Sequence, residues 1–389
     1  MISIALVLLA LATAPHTSPF EISSNKPFVQ ATVNGSAPQW FILDTGCRGN
    51  SIIARECADR LALKHGAEEQ ARIGAGSGAD VALSTAKQPV RLGALGATLT
   101  VQEPLVLTLG HVARIEGRRV DGLLGGDFLS GHVVTIDYAR NKITIRDPEG
   151  FVPPAGAVVV PVSLETGWPV VRGGIAMRGG APIPCRLIID TGVRFTLALF
   201  HPFSEKNGLH DTPGSLHDIV IGAGVGGLSR GDVARLDALT LGPVSFAQPV
   251  GIMSRDTSGI FSMDGPDGIV GGELLRRHRV TFDYAHERMI LERYEGDRGP
   301  NEFDMSGLFL AVDPPDYRKI RILSVSPKSP AAEAGLRTDD EIVSIDGRKP
   351  PRLKLDEARA LFRMPVARRL EILRGKQRLQ VRLDAKRMV

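Results

Sequence analysis

Cysteine is scarce in this chain of 389 residues, and three cysteines do not provide a disulfide framework. Cys47 and Cys57 could pair in an oxidising compartment, which would leave Cys185 as a thiol. The nine histidines are scattered, and no His-Glu-x-x-His or Cys-x-x-Cys motif occurs. The sequence therefore predicts no metal site and no cofactor.

Neither sign of charge dominates the chain. Its net charge of +4 at pH 7 is small for this length and argues against a nucleic-acid partner. The apolar run from Ile2 to Ala14 has the length of a signal-peptide core and is too short for a membrane span. We expect residues 1–17 to be a signal peptide of an exported protein, periplasmic or secreted, with no integral span beyond it. If this segment is not a signal, the protein would be cytoplasmic.

Two short stretches share one pattern, in which three apolar residues run into Asp-Thr-Gly. They are Phe41–Gly46 and Leu187–Gly192, and their aspartates, Asp44 and Asp190, are 146 positions apart. Other segments repeat at the same or nearly the same spacing: Asp121 to Leu129 with Asp267 to Leu275, Val134 to Ala139 with Val280 to Ala285, and Ile73 to Gly78 with Ile221 to Gly227. The chain therefore contains an internal duplication of a whole lobe.

Turn-forming residues are abundant, with 43 glycines and 26 prolines, and few long helical patterns occur. This composition predicts a mostly β fold. We place the first lobe (lobe 1) at residues 18–150 and the second (lobe 2) at residues 151–297. Beyond a charged linker the pattern changes, which predicts a further domain at residues 302–389.

Local patterns predict individual elements. Strands are expected at Phe28 to Val33 and Gln39 to Leu43, and a helical segment at Ser51 to Leu63. In the C-terminal domain a helix is expected at Leu355 to Phe362, and two basic-apolar strands should flank Gly375.

Two facing Asp-Thr-Gly loops have a defined chemistry. The glycine permits a sharp turn that aims its N–H at the carboxylate, and the threonine hydroxyl can reach the partner lobe. The two carboxylates then lie close, cannot both ionise cheaply, and share one proton. A water between them would be deprotonated by the ionised member and would attack a carbonyl, while the protonated member donates to the developing oxyanion.

These motifs resemble the aspartic peptidases, in particular retropepsin-like lobes, over about residues 25–295. The resemblance implies that Asp44 and Asp190 are the catalytic pair. It assigns support of this dyad to Thr45, Gly46, Thr191 and Gly192. It assigns flap tips over a substrate cleft to Gly74, Gly76, Gly78, Gly222, Gly224 and Gly226.

The residues after each Asp-Thr-Gly depart from the family pattern, which usually has Ala or Ser. Valine at position 193 cannot donate to the outer carboxylate oxygen and Cys47 donates weakly, which affects efficiency and pH optimum. Arg48 and Arg194 match across the repeat. They could contact the substrate backbone or an acidic side chain, lower the pKa values of the dyad, or form surface salt bridges.

Residues 302–389 resemble a PDZ domain of the bacterial type. The resemblance is carried by Ser306 to Phe309, Ser329 to Leu336 and Asp340 to Gly347. It implies a peptide-binding loop at Gly307, Leu308 and Phe309, where a peptide C terminus would join the edge of a sheet. The alternative is a PDZ-shaped packing module without a ligand.

The expected fold is thus mostly β, with two homologous retropepsin-like β-barrel lobes forming a bilobal aspartic peptidase, plus a small α/β PDZ domain. The function expected is an aspartic endopeptidase that hydrolyses peptides or unfolded protein, with the PDZ domain binding peptide or substrate termini. The alternative is a catalytically weak or inactive adaptor that keeps the peptidase fold and binds peptides.

Overall fold

The computed structural model describes residues 14–49, 51–71, 81–177, 179–224, 227–296 and 301–389. Most of the predicted signal segment and the flap residues Gly74, Gly76, Gly78 and Gly226 lie outside these ranges. The chain contains 44% strand and 13% helix, which confirms the predicted mostly β fold class. No helix among the described residues combines the length and apolar character needed to cross a membrane.

The elements of the first repeat are strands His16–Pro19 (β1), Glu21–Ser23 (β2), Lys26–Val33 (β3), Gln39–Leu43 (β4), Ile52–Ala54 (β5), Glu69–Ala71 (β6), Val81–Thr85 (β7), Val90–Ala94 (β8), Ala97–Val101 (β9), Leu105–Leu107 (β10), Gly122–Leu124 (β11), Val133–Asp137 (β12) and Lys142–Arg146 (β13), and helices Arg55–Arg60 (α1), Gly110–Glu116 (α2) and Gly126–Ser130 (α3).

The elements of the second repeat are strands Val158–Pro161 (β14), Val170–Ala176 (β15), Ile183–Ile189 (β16), Leu197–Leu199 (β17), Leu216–Gly224 (β18), Gly227–Arg235 (β19), Ala238–Leu241 (β20), Val244–Ala247 (β21), Val250–Ser254 (β22), Gly268–Val270 (β23), His278–Asp283 (β24) and Arg288–Arg293 (β25), helices His201–Lys206 (α4) and Gly272–Leu275 (α5), and short 3-10 helices at Leu209–Asp211, Ile260–Ser262 and Tyr284–His286.

The elements of the C-terminal domain are strands Leu308–Val312 (β26), Ile320–Val325 (β27), Glu341–Ile345 (β28), Ala367–Arg374 (β29) and Gln377–Asp384 (β30), and helices Pro330–Glu333 (α6) and Leu355–Leu361 (α7).

The two repeats build sheets with the same strand order. The first runs β6-β7-β10-β5-β11-β4-β3-β8-β9, and the second runs β18-β19-β22-β17-β23-β16-β15-β20-β21. Each position in one sheet has its counterpart in the other, so the duplication inferred from residue spacing extends to topology. In both, the strand that leads into Asp-Thr-Gly lies near the middle of the sheet, buried on both sides.

A six-stranded sheet, β1-β13-β12-β24-β25-β14, joins the two repeats. β12 pairs antiparallel with β24 so that Thr135 faces its own repeat equivalent, Thr281, and their hydroxyl oxygens lie 2.9 Å apart. Antiparallel pairing of equivalent residues relates the repeats by an approximate two-fold rotation. The same rotation brings the Asp44 and Asp190 loops towards each other.

The segment predicted as a helix from Ser51 to Leu63 is only partly helical, and this prediction was wrong for its first residues. Ile52–Ala54 forms strand β5, and the helix occupies Arg55–Arg60. The β-branched residues Ile52 and Ile53 lie between two other strands, β10 and β11, where such side chains pack well. Tertiary pairing therefore outweighed the local helical pattern.

The C-terminal domain has its own apolar core and a five-stranded antiparallel sheet, with β26 at one edge. The hydroxyl of Ser329 accepts a hydrogen bond from the N–H of Ala332 and so caps the N terminus of α6. The predicted strands around Gly375 are confirmed as β29 and β30. The domain bounds 18–150, 151–297 and 302–389 remain our proposal, and β1 begins at His16, inside the predicted signal segment 1–17.

Candidate active site

Asp44 and Asp190 each follow a buried strand directly, at equivalent places in the two repeats. The N–H of Asp44 donates to the carbonyl of Leu124 at 2.9 Å, and that of Asp190 donates to the carbonyl of Val270 at 2.9 Å. These carbonyls end β11 and β23, which run parallel to β4 and β16. The repeated motifs that contain β11 and β23 therefore pass behind the two aspartate loops.

Four hydrogen bonds from the two threonines hold the loops together. The Thr45 hydroxyl donates to the Ile189 carbonyl at 2.6 Å, and the Thr191 hydroxyl donates to the Leu43 carbonyl at 2.6 Å. Each hydroxyl oxygen also accepts the N–H of the opposite threonine, at 3.0 and 3.1 Å. All four groups are buried, so this reciprocal set fixes the distance between the loops.

The carboxyl groups of Asp44 and Asp190 lie close enough to interact with each other directly. A Cβ atom added to Gly46 would collide with the Asp190 carboxylate, and one added to Gly192 would collide with that of Asp44. Each loop glycine therefore leaves the space that the opposite carboxylate occupies. The N–H of Gly46 donates to Asp44 Oδ1 at 2.9 Å, and that of Gly192 donates to Asp190 Oδ1 at 2.7 Å.

Burial and mutual repulsion favour one proton on this pair. Burial raises the pKa of Asp190 well above its usual range, and the charge of Asp44 raises it further. Burial also raises the pKa of Asp44, while the nearby ammonium of Lys26 and the N–H groups of its own loop lower it. The pair thus retains a proton at pH values where an exposed aspartate would have lost it.

Lys26 was missed by the sequence analysis. It is 8% exposed, and its ammonium lies 2.7 Å from a carboxylate oxygen of Glu116, at the end of α2. Its charge lowers the pKa of both aspartates. A lysine at the start of a strand usually faces water, so only the tertiary structure reveals its burial beside the dyad.

The residues after the two glycines make the loops unequal. The N–H of Cys47 adds a second donor to Asp44 Oδ1 at 3.0 Å, whereas Asp190 receives the loop N–H of Gly192. Burial and neighbouring carboxylates raise the pKa of the Cys47 thiol well above its usual value. No disulfide joins Cys47 to Cys57, which are both thiols in the described part of the chain.

Arg48 contacts lobe 2. Its neighbour there is Trp168, which the sequence analysis did not identify as part of the site. The Arg48 guanidinium lies 4.1 Å from the centre of the Trp168 ring, and it donates to the Thr166 carbonyl at 3.3 Å. Trp168 Nε1 donates to the carbonyl of Gly46 at 2.8 Å. This arrangement braces the Asp44 loop from the other lobe.

Arg194, the repeat equivalent of Arg48, lies between lobe 2 and the C-terminal domain. It donates to the Ile221 carbonyl at 3.3 Å, and its guanidinium lies 5.4 Å from the ring centre of Phe309. Burial lowers its pKa to about 9. Arg194 lines a cavity of about 310 Å³ that is also lined by Gly307 and Leu308.

The glycine-rich segment of lobe 2 forms part of a hairpin. Gly222 and Gly224 belong to the end of β18, which pairs with β19. The ring Nε2 of His111, on α2 of lobe 1, lies 2.8 Å from the Gly224 carbonyl oxygen. The hairpin therefore reaches from one lobe to the other, as a flap over a cleft between lobes would.

The backbone donors of the predicted PDZ loop already have partners within the chain. The N–H of Gly307 donates to Asp304 Oδ1 at 2.6 Å, and the N–H of Leu308 donates to Ser306 Oγ at 3.1 Å. Phe309 is buried against Ile115 of α2. A ligand carboxylate arriving here would have to compete with Asp304 or use side-chain donors.

Comparison with known proteins identifies two domains. Residues 29–128 match the family model described as Aspartyl protease, and residues 321–374 match that described as PDZ domain. The chain therefore contains an aspartyl protease domain and a C-terminal PDZ domain. A curated relative, the carboxyl-terminal-processing protease of Synechocystis sp., is 35% identical over 88 residues, which are 22% of this chain and 21% of that protein. The chain thus spans about a fifth of that relative's length, and the matches support a peptidase with a PDZ module.

The threonine contacts predict a large, specific loss of stability. Thr45→Val leaves the Ile189 carbonyl and the Thr191 N–H buried without partners, at about 1–3 kcal/mol each. We expect the free energy of unfolding in urea to fall by about 2–4 kcal/mol. Thr45→Ser keeps the hydroxyl and serves as the control, and equal stability of the two variants would contradict the proposed role of these bonds.

The raised pKa of Asp190 predicts a pH-dependent stability. Protonated Asp190 favours the folded state, so its contribution is complete below the unfolded pKa near 3.8 and is lost as the pH rises through the raised folded pKa. Asp190→Asn removes this loss, and its free energy of unfolding relative to the wild type should therefore increase between about pH 4 and pH 8. Asp264→Asn, an exposed change in the same lobe, should show no such trend. A constant difference across this range for Asp190→Asn would contradict the assignment.

Proposed function

We propose that this protein is an aspartic endopeptidase that hydrolyses peptide bonds with a water activated by Asp44 and Asp190. The observation that carries the proposal is the close approach of the two carboxyl groups, each packed against the glycine of the opposite loop at the meeting point of the repeats. Carboxyl groups this close, with a raised pKa on Asp190, are suited to hold one proton between them. The match of residues 29–128 to an aspartyl protease model supports the same reaction class.

In the proposed reaction, ionised Asp44 takes a proton from a water molecule, whose oxygen attacks the carbonyl carbon of the substrate. Protonated Asp190 donates its proton to the carbonyl oxygen, which gives a neutral tetrahedral diol. Collapse of the diol breaks the C–N bond while the amide nitrogen receives a proton from Asp44. The remaining diol proton returns to Asp190, so the pair ends with the one proton with which it began.

The adaptor hypothesis rests on Cys47 and Val193, which replace the usual alanine or serine. A collapsed or separated pair of carboxyl groups would favour it. The close approach of the Asp44 and Asp190 carboxyl groups, together with the hydrogen bonds between their loops, supports the enzyme instead. For the location of the protein we retain the proposal of export, on the basis of the apolar run Ile2 to Ala14.

The decisive experiment uses Asp44→Asn and Asp190→Asn with an unfolded protein substrate. Each change removes one proton carrier, so the cleavage rate read by mass spectrometry should fall roughly 10²–10⁴-fold. Circular dichroism should report an unchanged fold, and Asp264→Asn should cleave at the wild-type rate. Full activity in either dyad variant would refute the proposed mechanism.

We further propose that the PDZ domain binds the C terminus of a peptide or substrate. The groove for such a peptide lies between the edge strand β26 and helix α7. At one end it is closed by α2 of lobe 1: Arg359 on α7 donates to the carbonyls of both Leu310 and Ile115, at 2.9 and 2.8 Å. Ile115 packs there against Phe309 and Ala311.

The other end of the groove opens into the cavity beside Gly307. Four arginines line this cavity, together with four carboxylates and apolar side chains such as Ile221; the arginines are Arg194, Arg276, Arg359 and Arg363, and the acidic residues are Glu273, Glu302, Asp304 and Asp356. The guanidinium groups suit a free carboxylate next to an apolar side chain. The name of the relative, a carboxyl-terminal-processing protease, is in keeping with a ligand of this kind.

Loosening α2 is expected to improve peptide binding. Ile115→Ala removes apolar contacts with Phe309 and Ala311, which raises the fraction of molecules with an open groove and should tighten binding at least about fivefold. The measurement is fluorescence anisotropy with a labelled heptapeptide that ends in valine, and its C-terminal amide should bind more weakly. Val366→Ala, an exposed change in the same domain, is the control. Identical affinity of Ile115→Ala and the control, or of acid and amide, would contradict the proposal.

A further inference from the structure

Three side chains on the outside of lobe 2 converge on one point. One ligand atom each from His201, Glu205 and His210 lies within 4.8 Å of the other two. His201 and Glu205 are four residues apart on α4, which places them on the same helix face. The 3-10 helix Leu209–Asp211 then returns the chain so that His210 faces them.

The orientation of His210 is fixed from behind by a buried carboxylate. Its Nδ1 lies 2.7 Å from Oδ2 of Asp232, a residue that is completely buried in β19. Asp232 also accepts hydrogen bonds from the N–H of Asp218 at 2.7 Å and from Arg255 Nε at 2.8 Å. With these two donors on its oxygens, Asp232 is placed to accept the proton on Nδ1 of His210. This geometry selects the ring tautomer that carries its lone pair on Nε2.

That Nε2 atom has no hydrogen-bond partner among the described residues, and the His210 side chain is only 9% exposed to solvent. It faces Glu205 Oε1 at 3.5 Å, beyond the length of a good hydrogen bond. Buried polar atoms without a partner are rare, and each needs an explanation. A metal ion between Nε2, the carboxylate and His201 supplies one, because it would take up the lone pair.

The donor set identifies the class of ion. Two imidazole nitrogens and one carboxylate oxygen suit Zn²⁺, whereas Mg²⁺ and Ca²⁺ prefer all-oxygen sites. We propose that His201, Glu205 and His210 bind a zinc ion, with Asp232 as the partner that orients His210. Glu205 is largely exposed, so water can complete the coordination.

The position of this site indicates what the ion does. Asp232 pairs with Met253 across β19 and β22, at the base of the β18–β19 hairpin, and through Asp218 it also contacts β18. An ion held by α4 and by His210 would tie these elements to the hairpin base. The ion would therefore stabilise lobe 2.

The spacing His-x₃-Glu-x₄-His explains why the sequence analysis predicted no metal. This spacing matches neither His-Glu-x-x-His nor Cys-x-x-Cys. Two histidines and a glutamate at such a spacing are, by themselves, weak evidence for a metal site. The orphaned nitrogen and the carboxylate behind His210 become visible only after folding.

The test is titration of the metal-stripped full chain with ZnCl₂, followed by isothermal calorimetry and by thermal unfolding. We expect one ion per chain, micromolar or tighter binding, and a higher melting temperature in zinc. Glu205→Gln changes an exposed side chain, so the chain should fold, while zinc affinity drops at least about tenfold; His210→Gln should lose more. His16→Gln, an exposed histidine in β1, is the matched control.

Two outcomes would overturn the proposal. One is zinc binding that is equally strong in Glu205→Gln, His210→Gln and His16→Gln, which would place the ion elsewhere. The other is the absence of stoichiometric zinc binding to the wild-type chain. Magnesium serves as the ion control and should neither bind stoichiometrically nor raise the melting temperature.

Discussion

Two carboxylates cannot be buried side by side at low cost unless the protein holds them there and lets them share a proton. The reciprocal bonds of Thr45 and Thr191 meet the first condition, because each hydroxyl is anchored to the opposite lobe. Gly46 and Gly192 meet the second condition, because the absence of a side chain leaves room for the two carboxyl groups to approach and share a proton. The six-stranded sheet beneath, in which Thr135 faces Thr281, maintains the same two-fold relation at a distance from the site. The dyad is thus a property of the paired lobes, and neither repeat has it alone.

The duplication is symmetric in topology but not in its contacts with the third domain. In lobe 1, Asp127 accepts hydrogen bonds from the N–H and hydroxyl of Ser51, which closes its own loop. Its equivalent in lobe 2 is Glu273, and the residue equivalent to that serine is a leucine. Glu273 instead accepts hydrogen bonds from Asn25 of lobe 1 and Arg363 of the PDZ domain, at 2.7 and 2.6 Å. One acidic position therefore serves local structure in one repeat and domain assembly in the other, which attaches the PDZ domain beside lobe 2.

The sequence predicted the pairing of Asp44 with Asp190 because a duplication leaves equal spacings between whole motifs along the chain. It predicted strands for the same reason that they form, through local turn chemistry and alternation. It could not predict that Lys26 lies buried beside the dyad or that Trp168 braces Gly46, because the burial and direction of these side chains depend on contacts between segments 90 and 122 residues apart. The strand Ile52–Ala54 was missed because its neighbours in the sheet, which are remote in sequence, decide its conformation.

The unequal loops assign unequal roles to the two aspartates. Asp44 Oδ1 accepts two loop N–H bonds, from Gly46 and Cys47, and these stabilise its ionised form. Asp190 receives the N–H of Gly192 and is more deeply buried, and this burial raises its pKa. In the proposed mechanism Asp190 is therefore the acid and Asp44 the base. Valine at position 193 then withholds a side-chain donor from the carboxyl that carries the proton.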